Sequence, residues 1–268
     1  MRDKLKDKKY FKKYLSKTDH LIEKTKEDFL KGLVRDERRQ TMKLYMISQY
    51  VNAVIATYSM GGSRRDMLSY FNPAIDLIDE FWFEQKKLVY DREPLNQYGI
   101  SNYFQMLSIL SLAYLLNIEE GDFKKIASAI EKDGVKDKIY SFLISNRLKE
   151  VKMSTNESYQ HNFAVVDTYQ VLREAISVDN KGESSMLVGR FLKSEWYSNL
   201  TKAGVGYLDR HDNKSNSYNG YWCFEAAAVV KIKGLDDSSF RDHPYYPADL
   251  VHGMDNPPPK KKKGFFGW

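Results

Sequence analysis

Apolar positions in the first half of the chain recur at the period of a helix. From Asp7 to Leu33 they fall at Phe11, Leu15, Leu21, Ile22, Phe29 and Leu33 with charged residues between, which predicts an amphipathic helix. The next stripe is cleaner: Met42, Met46, Tyr50, Val54 and Tyr58 lie four apart, and Leu44, Ile47, Val51 and Ile55 widen it. Gly61-Gly62 is expected to close that helix, because glycine reaches the left-handed conformation without steric cost. Ser63 and Asp66 have the spacing of a capping box for a third helix. Pro73 falls inside its pattern, so the helix is expected to kink there or to restart with Asn72 as cap. Ile75, Ile78, Phe81 and Trp82 carry the apolar face onward.

Glu93 to Gly99 reads as a loop. Ile100 to Leu116 is apolar on every side, the pattern of a helix at the centre of a fold. Further helices are expected at Glu120 to Lys132, Lys136 to Leu148, Phe163 to Ile176 and Glu183 to Leu200. No run alternates with period two, and Asn219-Gly220 leads into a helical pattern, so no strand is expected. The prediction is an all-α, multi-helix bundle in two helical halves, with domains at 1–118 and 119–252 and a tail at 253–268. Pro257 to Pro259 make the tail an extended spacer. Lys260 to Lys263 followed by Phe265, Phe266 and Trp268 permit weak contact with an anionic membrane surface; a plain solubilising terminus is the simpler reading.

Composition narrows the picture. With 42% hydrophobic and 14% aromatic residues the chain has the material for a packed core, and a mean hydropathy of -0.58 is that of a soluble protein. The longest apolar stretch, Leu107 to Leu116, is broken by Ser111 and too short to span a bilayer. The charged opening lacks the apolar segment of a secretory signal, and the single Cys223 excludes an internal disulfide. A cytoplasmic location is expected. Net charge is +6, of which Lys260 to Lys263 supply four and leave +2 for the rest. Lys4, Lys6, Lys8, Lys9, Lys12 and Lys13 sit among Asp3 and Asp7, the mixed-sign pattern of a solvated face, so no direct nucleic-acid binding is expected.

The chemistry concentrates between Gly220 and His252, in the run GYWCFEAAAVVKIKGLDDSSFRDHPYYPADLVH. Tyr221 to Ile232 reads as a buried helix stopped by Gly234. Asp237 or Ser238 then caps a short helical turn, His243-Pro244 forces an extended link, and Pro247 opens a last short helix bearing Asp249 and His252. Glu225 is a carboxylate on an apolar helix; once buried it needs a donor such as an arginine, or a proton. Asp242, His243, Asp249 and His252 are metal-ligating residue types within eleven residues, the basis for an alternative reading as a metal-dependent hydrolase. Their spacing is not that of a zinc helix, and His-Pro with Tyr-Tyr-Pro between them suits a structural turn. No metal or other cofactor is expected.

The same segment closely resembles the C-terminal domain of the PoNe immunity proteins, the PoNi family. The resemblance rests on Gly220, Tyr221, Trp222, Phe224, Glu225 and Ala226 to Ala228, then on Asp236, Asp237 and Ser238. It continues through Asp242, His243, Tyr245, Tyr246, Pro247, Asp249, Leu250 and His252. Trp196, Tyr197 and His211 are similar to further family positions, and Cys223 stands where the pattern has serine. Arg2-Asp3, Tyr10-Phe11 and the helix through Tyr58-Ser59 resemble the accompanying N-terminal helical domain. The resemblance implies a non-enzymatic immunity protein that binds a partner nuclease toxin, a polymorphic DNase, and so protects the producing cell. A DNase binds its substrate through a basic surface, so carboxylates on the inhibitor are the natural contacts. The candidates are Asp236, Asp237, Asp242 and Asp249, with a second cluster of Asp76, Asp79, Glu80 and Glu84. The basic overall balance requires any such face to be local.

Overall fold

A computed structural model of the chain describes residues 1–85, 87–90, 93–151, 166–203 and 210–254. The first three helices form side by side, each started or stopped by a local signal. Asp7 caps α1 (Lys8–Leu30) by accepting from the Tyr10 amide at 2.7 Å. Helix α2 (Arg39–Met60) packs against α1 on one side and α3 (Arg64–Phe81) on the other. It ends at Gly61, whose φ of +92° is left-handed. Ser63 and Asp66 form the expected capping box at the start of α3. Helix α3 runs through Pro73 without a restart. The carbonyl deprived of its partner belongs to Ser69, on the exposed side of the helix.

A β-hairpin follows where a loop was expected. Strands β1 (Lys87–Tyr90) and β2 (Glu93–Tyr98) pair antiparallel with Lys87 opposite Tyr98, and the register is irregular between Lys87 and Val89. Strands of four and six residues, one containing Pro94, are too short and irregular to show alternation in sequence. The hairpin is pinned by its end. Asn96 accepts from the Lys136 amide at 2.9 Å, and buried Tyr98 donates to Asp133 at 2.8 Å while accepting from the Trp82 indole at 3.0 Å.

Helix α4 (Ile100–Leu115) is the expected central helix, buried around almost its whole circumference. Helices α5 (Glu120–Lys132) and α6 (Lys138–Arg147) follow, the second capped by Asp137, which accepts from the amides of Ile139 and Tyr140. The C-terminal half adds α7 (Val166–Ser177), α8 (Lys181–Arg190), α9 (Trp196–Lys202), α10 (Phe224–Lys233) and α11 (Ala248–His252). The helix expected from Glu183 to Leu200 is divided: a π-helical turn, Phe191–Glu195, separates α8 from α9. Such a turn adds no residue that an apolar period would flag. Helix α10 begins at Phe224 rather than Tyr221: Cys223, with a non-helical ψ of 75°, precedes it, and its amide donates to the Tyr245 carbonyl at 2.8 Å. After it, Asp237 and Ser238 enter hydrogen-bonded turns instead of a helix.

Helix α10 packs on α4, and α3 on α5, so the buried apolar residues form one cluster from Phe11 to Leu250 that crosses the expected boundary near residue 118. No helix among the described residues is long and apolar enough to cross a membrane. The start of the helix expected at Phe163 and the tail from residue 255 lie outside the described residues.

Candidate functional site

The first residues of the chain are locked against the segment that carries the motif. The amides of Arg2 and Asp3 both donate to the Ser59 carbonyl at 3.1 Å. The Arg2 guanidinium donates to the carbonyls of Tyr58 at 3.0 Å and Gly62 at 2.9 Å, and lies 4.5 Å over the Tyr58 ring. It also pairs with Asp249, which in turn accepts from the Tyr58 hydroxyl. Burial, with Asp249 beside it, holds the Tyr58 phenol well above its ordinary value. Asp3 is buried and accepts from the Tyr218 hydroxyl and from the amides of Leu5 and Lys6.

Gly220 makes this junction possible. Its φ is +124°, and a Cβ there would lie 2.1 Å from Ser59 Oγ. Through that gap Ser59 donates to the Asn219 carbonyl at 2.7 Å and accepts from the Trp222 indole at 2.8 Å. Trp222 stands edge-on to Tyr58 with centroids 4.9 Å apart.

Between the strap Arg2 to Leu5 and the loop Asp242 to Tyr246 a cleft of about 440 Å³ opens, with Tyr58, Tyr221 and Trp222 also lining it. Tyr245 stacks on Tyr197 at 5.3 Å and 12°, and Tyr221 meets Tyr197 edge-on. His243 packs against Tyr245 and its Nδ1 accepts from the Tyr245 amide. Burial and nearby Lys193 hold this imidazole below its ordinary value, so it is uncharged at neutral pH.

Two buried carboxylates stand behind the cleft. Asp237 is wholly inside, accepting from Arg241 Nε at 2.7 Å, the Tyr246 hydroxyl at 3.0 Å and His252 Nε2 at 2.7 Å. It organises the Tyr245-Tyr246-Pro247 turn and is not available as a surface contact. Glu225, on α10, is the second. It accepts from the Trp196 indole at 2.7 Å, and burial pushes its carboxyl up to about 7 against the opposing hydrogen bonds of Trp196 and Cys223.

The four residues of the alternative metal reading do not assemble. Asp249 is engaged by Arg2 and Tyr58, His252 by Asp237, and Asp242 faces solvent. Among the described residues no group of three or more His, Cys, Asp or Glu side chains has the geometry to hold a metal ion. The acidic residues of α3 and its C-terminal extension are exposed. Asp76 pairs with Lys125 at 2.9 Å and Asp79 faces Lys132 at 3.9 Å, both from α5. Glu80 is exposed beside them, while Glu84 takes a left-handed φ of +53° as its amide donates to Asp133. Asp236 is exposed and accepts from the Ser238 amide at 3.0 Å.

Tyr58 is legible as part of the α2 stripe and Tyr218 is not singled out by any local spacing; neither pattern reveals their contacts with Asp249 and Asp3 across 191 and 215 residues of chain.

Two family models match the chain: PoNe immunity protein (PoNi), N-terminal, over residues 2–128, and PoNe immunity proteins (PoNi), C-terminal, over residues 135–250. No curated protein matches it. Among solved structures, the crystal structure of protein PA2201 from Pseudomonas aeruginosa is similar, with 13% identity and a TM-score of 0.57. The similarity covers 91% of this chain and 87% of that one, and shows a shared fold.

Proposed function

This chain belongs to the PoNe immunity protein (PoNi) family, and from that premise we propose that it neutralises a cognate polymorphic nuclease toxin, a DNase, by stoichiometric binding in the cytoplasm of the producing cell. The observation that carries the reading is the pair of family matches, which together extend from residue 2 to residue 250. The role needs no chemistry from the chain. The motif side chains support it by fixing a rigid surface: Trp222, Glu225, Asp237, Tyr246 and His252 all hold other parts of the same fold. A surface ordered before contact loses less conformational entropy on binding.

The toxin is met through the exposed carboxylates Asp236, Asp242, Asp76, Asp79, Glu80 and Glu84, while Asp249 is held by Arg2 and Asp237 is interior. The lysine pairs of Asp76 and Asp79 do not oppose this, because exposed ion pairs are worth only about 0–1 kcal/mol and exchange partners readily. Titrating the purified chain into a DNA-cleavage reaction run by the toxin tests the reading. Cleavage is expected to stop near one equivalent. Undiminished cleavage in large molar excess of correctly folded chain overturns it.

A further inference from the structure

The lysines that open the chain look balanced by acids in sequence, but the fold buries Asp3 and leaves Asp7 as the one exposed acid of this opening. Asp3 is buried under Tyr218 and the Leu5 and Lys6 amides, and the Asp7 carboxylate is turned onto the Tyr10 amide as the α1 cap. Lys8, Lys9, Lys12, Lys13 and Lys17 are exposed. Lys9, Lys13 and Lys17 form one row and Lys8 and Lys12 its neighbour, each step rising about 6 Å along the helix. The long row ends at a polar cavity of about 250 Å³. Lys17, Arg210, Tyr45, Gln49, Asn52 and Asn216 line it, and no carboxylate among the described residues does.

We propose that this face of α1 binds the phosphodiester backbone of a nucleic acid, with one phosphate seated between Lys17 and Arg210 and the strand continuing along Lys13 and Lys9. Two cations and neutral donors without a competing acid are the chemistry of a phosphate site, and a lysine row lends itself to contacts that ignore base sequence. Protein interfaces favour tyrosine, tryptophan and arginine at their centre and deplete lysine, so a protein partner fits this face less well. A bilayer fits less well too. Interfacial helices insert an apolar side, and α1 has buried Phe11, Leu15 and Ile22 in the core. A DNase inhibitor with this face would be retained on the molecule its target attacks.

The site is independent of toxin neutralisation, and one experiment keeps the two apart. Binding of the full-length chain to a short fluorescent DNA duplex is followed by anisotropy as salt is raised, with phosphatidylserine vesicles as the comparison. The logarithm of affinity is expected to fall with the logarithm of salt with a slope of about -3. Lys13→Glu, Lys17→Glu and Arg210→Glu together should weaken binding at least about tenfold and make the slope shallower by roughly two to three. All three side chains are exposed, so helicity by circular dichroism should be unchanged, and Lys17→Glu alone serves as a milder check. Protection from the toxin should survive the same changes. The proposal is overturned by the absence of DNA binding at low salt or by an unaltered slope in the triple variant. Vesicle binding that matches DNA binding and depends on the same side chains also overturns it.

Discussion

Glu225 is a carboxyl group placed where ionisation is costly. It is 1% exposed, and an indole and a thiol stand against it. Its folded-state value of about 7 stands above the ordinary 4.5, and that difference corresponds to about 3 kcal/mol. Below 4.5 both folded and unfolded chains hold the proton. Between 4.5 and about 7 only the unfolded chain releases it, so stability falls as pH rises, and the loss is complete above that window. Glu225→Gln keeps an oxygen for the Trp196 indole and removes the titration. Denaturant unfolding across this range should show the variant gaining on the parent by up to about 3 kcal/mol as pH rises. Parallel pH profiles for the two proteins would contradict the assignment. The sequence already marked Glu225 as needing a donor or a proton. It could not show that the donor is Trp196, because the π-helical turn that precedes it sets where that indole falls.

Elements differ in how much of themselves they declare. The caps at Asp7 and Ser63, the left-handed stop at Gly61 and the apolar girth of α4 are local, so a few neighbouring residues specify them. The β-hairpin escapes detection because contacts to Asp133 and Lys136 hold it, not β-rich patterning. The N-terminal strap escapes it more completely: the Arg2–Asp249 pair closes across 247 residues, and no local pattern joins the two ends. That pair is largely shielded, with side chains 18% and 17% exposed, so removing one partner strands the other. Arg2→Ala and Asp249→Asn are each expected to cost roughly 2 kcal/mol in chemical denaturation. In the double variant the losses should fall short of additive by about 1 kcal/mol or more. Strict additivity would mean that the strap is held by its backbone bonds to Ser59 and not by the ion pair.

At the scale of the whole molecule, a basic chain is an unusual inhibitor for the DNase proposed as its partner. The charge is unevenly placed: exposed lysines along the first half of α1, exposed carboxylates on α3 and at Asp236 and Asp242. Asp237 and Asp249, both candidate toxin contacts, hold parts of the fold together, a role that depends on burial and long-range partners and so was not legible from residue type. Fold class and family were legible, because helical period and a dense motif survive without knowledge of tertiary contacts. The most direct test of the account is survival of cells that express the partner nuclease with and without this chain. Rescue, together with recovery of a one-to-one complex of the two proteins, is predicted, and reversing Asp236, Glu80 and Glu84 together should weaken rescue without loss of helicity. Cells that die although the chain is folded, abundant and paired with its cognate nuclease would contradict neutralisation by binding.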